Sequence, residues 1–215
     1  MFSTNNKLER DRVFNSFPST LRKDVEKAIE VLPLNEHNVL LTGGQIHQVD
    51  NLIHQDEQLV LLDKELIKIP YRLYFNEPNP EKEKLLTDLQ KTILNCIYLR
   101  HHNGFVRQKR LEKLVETTLY FTTPYTFQLL GEYVIEILEI LDRHINDNTI
   151  DNYAKFINEN EKYWHQTESR MISYWNEYYR RPKFPKLKDY IGKQIVDRIR
   201  ANAQQKYLKK QGFTM

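Results

Sequence analysis

Cysteine is almost missing from this chain: Cys96 stands alone among 215 residues. One thiol cannot close an intrachain disulfide, which excludes a disulfide scaffold and points to a reducing compartment. Glycine is also scarce, with six residues, Gly43, Gly44, Gly104, Gly131, Gly192 and Gly212. No arrangement of them forms a phosphate-cradling loop. There is no CxxC pair and no HExxH motif. No Asp or Glu stands three residues before a histidine, so the ExxH signature of di-iron bundles is missing as well. Ser3, Ser16, Ser19, Ser169 and Ser173 lie outside any nucleophile-elbow context. No apolar run approaches the roughly 20 residues of a membrane span. The start, Met1-Phe2-Ser3-Thr4-Asn5-Asn6-Lys7, carries no apolar stretch of the signal-peptide kind. These absences set the expectation of a cytoplasmic protein with no catalytic residue, cofactor or metal to assign, and with no membrane partner.

What is present is a foldable composition. The chain is 40% hydrophobic and carries 10 Phe, 13 Tyr and 2 Trp, enough to build a core. Its net charge of +3 conceals an asymmetry. Residues 180–215 hold eleven Lys and Arg against Asp189 and Asp197, a local charge of +9, so residues 1–179 carry −6. Such a basic segment either meets an anionic partner or pairs with the acidic remainder.

Periodicity predicts a mainly α fold, a multi-helix bundle or short helical-hairpin stack with a small β-hairpin near 58–75. A short helix is expected at 7–15. Pro18-Ser19-Thr20 opens a better one, with Ser19 or Thr20 as cap and Val25, Ala28, Ile29 and Leu32 at helical spacing. Thr42-Gly43-Gly44 reads as a turn. Apolar runs at 58–62 and 66–75 around Asp63-Lys64-Glu65 read as a hairpin, with Pro70 at an edge or bulge. From Pro80 onward the pattern is helical. Leu85, Leu86, Leu89, Ile93, Leu94, Ile97 and Tyr98 make one stripe, with Cys96 packed beside it. Gly104 is expected to end that helix in a left-handed cap. A second helix follows with Arg107, Lys109, Arg110 and Lys113 on its polar side. Residues 85–119 resemble one helical-hairpin repeat of the HEAT kind, a single unit where a stable stack needs about three. A central, most buried helix is expected from Thr123-Pro124 to Leu141. One long aromatic helix is expected from Ile150 to Tyr179, and a last one from Lys186 to Leu208. The expected organisation is an N-terminal cap, 1–79, on a helical body, 80–215, as one compact unit.

Candidate sites are few. Glu161, His165 and Glu168 share a helix face and would need Glu132, Glu136 or Glu139 to complete a metal or acid–base site. Arg100-His101-His102 suits a helix C-terminus, where cations bond the last carbonyls. His37, His47 and His54, with Asp50 and Asp56, would bind metal if the fold gathered them. Tyr178, Tyr179, Arg180, Arg181, Lys183, Phe184, Lys186 and Lys188 combine aromatics and cations around Pro182 and Pro185, a pattern suited to partner binding. The resulting expectation is a non-enzymatic protein-binding or scaffold protein. The alternatives are a nucleic-acid-binding protein using 180–210 and a metal-dependent enzyme.

Overall fold

The computed structural model describes residues 4–41 and 43–210. Two compact units divide the chain, Met1–Leu114 and Val115–Met215. In the first unit the helices after Pro80 pack with the N-terminal elements. Both units are mainly α. Among the described residues no helix is long and apolar enough to cross a membrane.

The first unit opens with α1 (Thr4–Phe14) and α2 (Arg22–Glu30). Ser19 does not cap α2. Its backbone N–H and hydroxyl instead donate to Glu65 at 2.9 and 3.3 Å, tying the helix entry to the hairpin. Val25, Ala28 and Ile29 are buried on one face of α2, which packs against α4 (Asp88–Tyr98). Thr87 and Gln90 form a capping box at the start of α4, and Gln90 Nε2 reaches Asp24 Oδ1 at 2.9 Å. A break after α3 (Pro80–Lys84) turns Leu85 outward while Leu86, Ile93, Leu94, Cys96 and Ile97 are buried.

Two antiparallel hairpins lie between α2 and α3. β1 (Asn38–Leu40) pairs with β2 (Ile46–Gln48), and β3 (Glu57–Leu62) pairs with β4 (Glu65–Pro70). Asp63 and Lys64 form the two-residue turn, both at positive φ, which matches the right-handed twist of the strands. Val60, Leu62, Ile67 and Ile69 point into the core. The Lys68 N–H faces away from β3 and donates to the Asn15 carbonyl at 3.1 Å. Pro70, two residues on, therefore also faces outward, and its missing N–H costs no ladder bond. The strand ends there rather than running to Phe75. Beyond it, Leu73 bridges singly to Ile53 and His101.

Asn103, not Gly104, sets the next boundary. Its side chain accepts from the Phe105 N–H at 2.9 Å and caps α5 (Gly104–Glu112), and Gly104 takes no positive φ. The expected polar side of α5 is half wrong. Lys109 and Lys113 are exposed, but Arg107 and Arg110 are buried. Arg107 donates to the carbonyls of His101 and His102 at 2.7 and 2.9 Å. Arg110 is held by carboxylates from elsewhere in the unit.

In the second unit the expected central helix is interrupted. α6 (Thr123–Phe127) passes into a 3₁₀ turn, Gln128–Gly131, and Glu132 is extended before α7 (Ile135–His144). Gly131 lies under the stem of Arg170, whose Cδ would stand 3.0 Å from an added Cβ. Burial follows the expectation at Phe127, Leu129, Leu130, Ile137, Leu138 and Leu141, with Val134 and Ile135 only partly covered. The long aromatic helix is broken too, into α8 (Ile150–Glu159) and α9 (Glu161–Tyr174). Asn160 leaves the helical region at φ −134° and ψ 49°. Its side chain donates to the Phe156 carbonyl and its own carbonyl accepts from the Trp164 N–H, so it closes one helix and opens the next. The bend brings Phe156, Tyr163 and Trp164 around Phe127, with centroids 5.1, 5.3 and 6.0 Å away. The chain ends its described part in α10 (Ile191–Lys210), which packs on α7, α8 and α9 through Ile195, Val196 and Ile199.

Candidate partner-binding surface

The connector between α9 and α10 is organised by aromatic packing. α9 widens into one π turn, Trp175–Tyr179, closed by the Arg180 N–H on the Trp175 carbonyl at 2.8 Å. Single π turns recur at functional sites. Trp175 Nε1 then donates to the Phe184 carbonyl at 2.9 Å and folds the connector back on itself. Tyr179 stacks on Tyr190 at 5.5 Å, and Phe184 lies 5.7 Å from the same ring. The Tyr179 hydroxyl donates to the Tyr133 carbonyl. Burial pushes the phenols of Tyr179 and Tyr190 above their usual range, so both stay neutral.

These contacts divide the predicted residues. Tyr179 and Phe184 are half-buried staples that shape the connector. Tyr178, Arg180, Arg181, Lys183, Lys186 and Lys188 are exposed. Among the described residues none of those five cations has a carboxylate within 4.0 Å. Arg180 bonds the neutral Asn176 side chain at 3.0 Å and lies over Trp175. The cations of α10 behave differently. Lys193 pairs with Asp197, Arg198 with Asp142 at 2.7 Å, Arg200 with Glu168 and Lys206 with Asp151 at 2.8 Å. Among the described residues, the +9 segment thus separates into a helix with four paired cations, three of them on acids outside it, and a connector whose cations have no carboxylate partner.

Two tyrosines outside the predicted site residues join this surface, Tyr174 having been expected only as part of the aromatic helix stripe. Tyr133, from the loop before α7, and Tyr174, at the end of α9, meet Tyr178. The three ring centroids are 5.6, 5.9 and 6.0 Å apart. Tyr133 and Tyr178 are each 50% exposed. Nothing local in the sequence marks Tyr133, since its neighbours lie more than 40 positions away.

No family model matches this chain, and no curated protein or solved structure matches it either.

The other candidate clusters are not gathered. His165 lies 3.9 Å from Glu161, both on the exposed face of α9, while Glu168 is taken by Arg200. Glu136 and Glu139 lie on α7 and Glu132 in the loop ahead of it. His54 lies 3.7 Å from Asp56; His37 contacts the Val49 carbonyl and His47 the Gln45 side chain. Among the described residues no group of three or more His, Cys, Asp or Glu could hold a metal. The side chains of Arg100 and His101 reach carbonyls beyond their own helix end. Arg100 donates to the carbonyls of Pro70 and Tyr71, and His101 Nε2 contacts that of Phe75 at 2.9 Å. They tie α4 to the segment after β4. Burial, with the neighbouring His102, lowers His101 to about 4, so it is neutral at physiological pH.

The first unit also has an open polar cleft of about 660 Å³, lined by Glu77, Glu83, Asn95, Lys109, Arg110 and Lys113 among others. Arg110 bonds Glu83 through both terminal nitrogens at 2.7 and 3.1 Å, Glu77 at 2.9 Å and Asn95 at 3.2 Å. Its guanidinium lies over Tyr98. Burial raises the Glu83 carboxyl, but hydrogen bonds and charge from Arg110 and Lys113 outweigh it and hold it below the usual range. Glu77 is held low in the same way by Arg110 and Lys109. Two ionised, bonded carboxylates supply no general acid, so the cleft reads as an internal ion-pair network.

Proposed function

We propose that this chain is a non-enzymatic cytoplasmic binding protein whose docking surface is the connector Tyr178–Lys188, and that it captures an anionic partner there. One observation carries the reading: among the described residues, five exposed cations remain without carboxylates on the connector, while Lys193, Arg198, Arg200 and Lys206 of α10 are each paired with one. Residues 175–188 contain Glu177 as their one acid against those five, a local charge of +4. Pro182, Pro185 and the aromatic staples hold the backbone, so few degrees of freedom are lost on binding. The absence of nucleophile, glycine-loop and metal-ligand motifs in the sequence supports a binding role over a catalytic one.

Retention on an immobilised polyanion tests this. The protein is expected to be retained at about 50 mM salt and released steeply as salt rises, because neutralised charges release counterions. Arg180→Glu, Arg181→Glu and Lys183→Glu together should abolish retention with an unchanged circular dichroism spectrum. Equal retention of this variant would refute the connector as the surface.

A further inference from the structure

We infer that the anionic partner of the connector is a single-stranded nucleic acid, whose bases stack on the Tyr133–Tyr174–Tyr178 cluster while its phosphates meet Arg180, Arg181, Lys183, Lys186 and Lys188. This rests on the anion-capture reading above and adds the partner's chemistry.

The cluster is built, not incidental. Three elements supply one ring each: the loop before α7, the end of α9 and the π turn. The Tyr179 hydroxyl on the Tyr133 carbonyl pins that loop to the π turn, so the rings are placed before any ligand arrives. Tyr133 and Tyr178 still present half their surface. Among the described residues no cation covers any of the three rings, whereas Trp175, Phe184 and Trp164 are each covered by one. Half-exposed tyrosine rings that no cation covers, beside cations without carboxylate partners, are the two ingredients of a sequence-tolerant single-strand site.

Alternative partners fit less well. An acidic protein segment would use the cations, but its carboxylates carry no aromatic face to stack on the three tyrosines. Protein interfaces also want a buried apolar centre, and this surface exposes two large hydrophobic residues, Tyr133 and Tyr178, both carrying a polar hydroxyl. A duplex hides its base faces, so it could use only the cations. A lone nucleotide needs one or two phosphate contacts, whereas the cations here extend over nine residues.

The test compares four fluorescent probes at about 50 mM salt by anisotropy: an oligothymidylate of about 12 nucleotides, an abasic strand of equal length, the corresponding duplex and polyglutamate. The oligothymidylate should bind at least about ten-fold tighter than the abasic strand, since each stacked base contributes roughly that factor or more. Tyr133→Ala with Tyr178→Ala should erase this preference. Tyr178→Phe, which keeps the π face, should retain it. Equal binding of the base-bearing and abasic strands, or of strand and duplex, overturns the inference and leaves anion capture standing. Binding of polyglutamate alone does the same and makes the partner an acidic protein. No binding of any probe overturns both readings.

Discussion

Replacing Arg110 by Met tests whether the buried network of the first unit is a structural keystone. Arg110 is 2% exposed and bonds Glu83, Glu77 and Asn95 while lying over Tyr98. Methionine keeps much of the apolar stem and removes the charge. Glu83, 17% exposed, then keeps Lys113 at 3.1 Å, and Glu77, 34% exposed, keeps Lys109 at 3.4 Å. Breaking a fully buried pair costs about 3–5 kcal/mol because a charge is left without compensation. Partial solvent access and the remaining lysines place this loss near the lower end, about 3 kcal/mol. Both tryptophans, Trp164 and Trp175, belong to the second unit, so their fluorescence does not report on this one. Cys96 does: it is fully buried in α4, and its thiol becomes reactive when the first unit opens. The assay is thiol labelling across a urea gradient. The pH dependence has a fixed sign. Both carboxyls lie below their ordinary value of 4.5 in the folded state. Their contribution is present above that value and is lost as pH falls through the lowered ones. The wild type should therefore lose first-unit stability on acidification below about pH 5, and the variant should lose less. A midpoint within about 0.5 kcal/mol of wild type, the range of an exposed pair, together with an unchanged acid limb, would show that the network contributes nothing beyond surface pairing.

Three further outcomes are expected. Leu138→Ala, in the buried face of α7, should destabilise the second unit by about 2–5 kcal/mol through lost transfer energy and a cavity, read from the urea midpoint by tryptophan fluorescence; an unmoved midpoint would make α7 peripheral. Cys96 should resist thiol reagents without denaturant, since burial also raises its pKa well above the ordinary range; rapid labelling would contradict its burial. Gly192→Ala places a Cβ 2.8 Å from Tyr190 Cε1 and 2.9 Å from Met171 Cγ, both fully buried, so a loss of about 1–3 kcal/mol is expected; a gain, as a relaxed helical Ala would give, would show that α10 can shift away from α9.

Features legible in the sequence are those decided within a few residues. The burial faces of α2, α7 and α10 follow from apolar spacing, because one helix face is a property of its own segment. The β3–β4 hairpin is marked by two apolar runs about a short polar turn, and the burial of Cys96 by its neighbours Ile93, Leu94 and Ile97. The basic character of 180–210 is a matter of counting. Tertiary structure alone decided the rest, because the deciding partner lies far along the chain. Arg107 and Arg110 look like one polar face with Lys109 and Lys113, yet Arg110 is buried because Glu77 and Glu83, 33 and 27 residues earlier, fold over it. The helix expected over 150–179 carries no proline or glycine to break it; Asn160 breaks it where Phe156, Tyr163 and Trp164 converge on Phe127. The basic segment reads as one block, and only folding sets Asp142, Asp151 and Glu168 beside α10 and none beside the connector. Tyr133 joins Tyr178 across 45 positions for the same reason: periodicity places a residue on a face, and packing decides what that face meets.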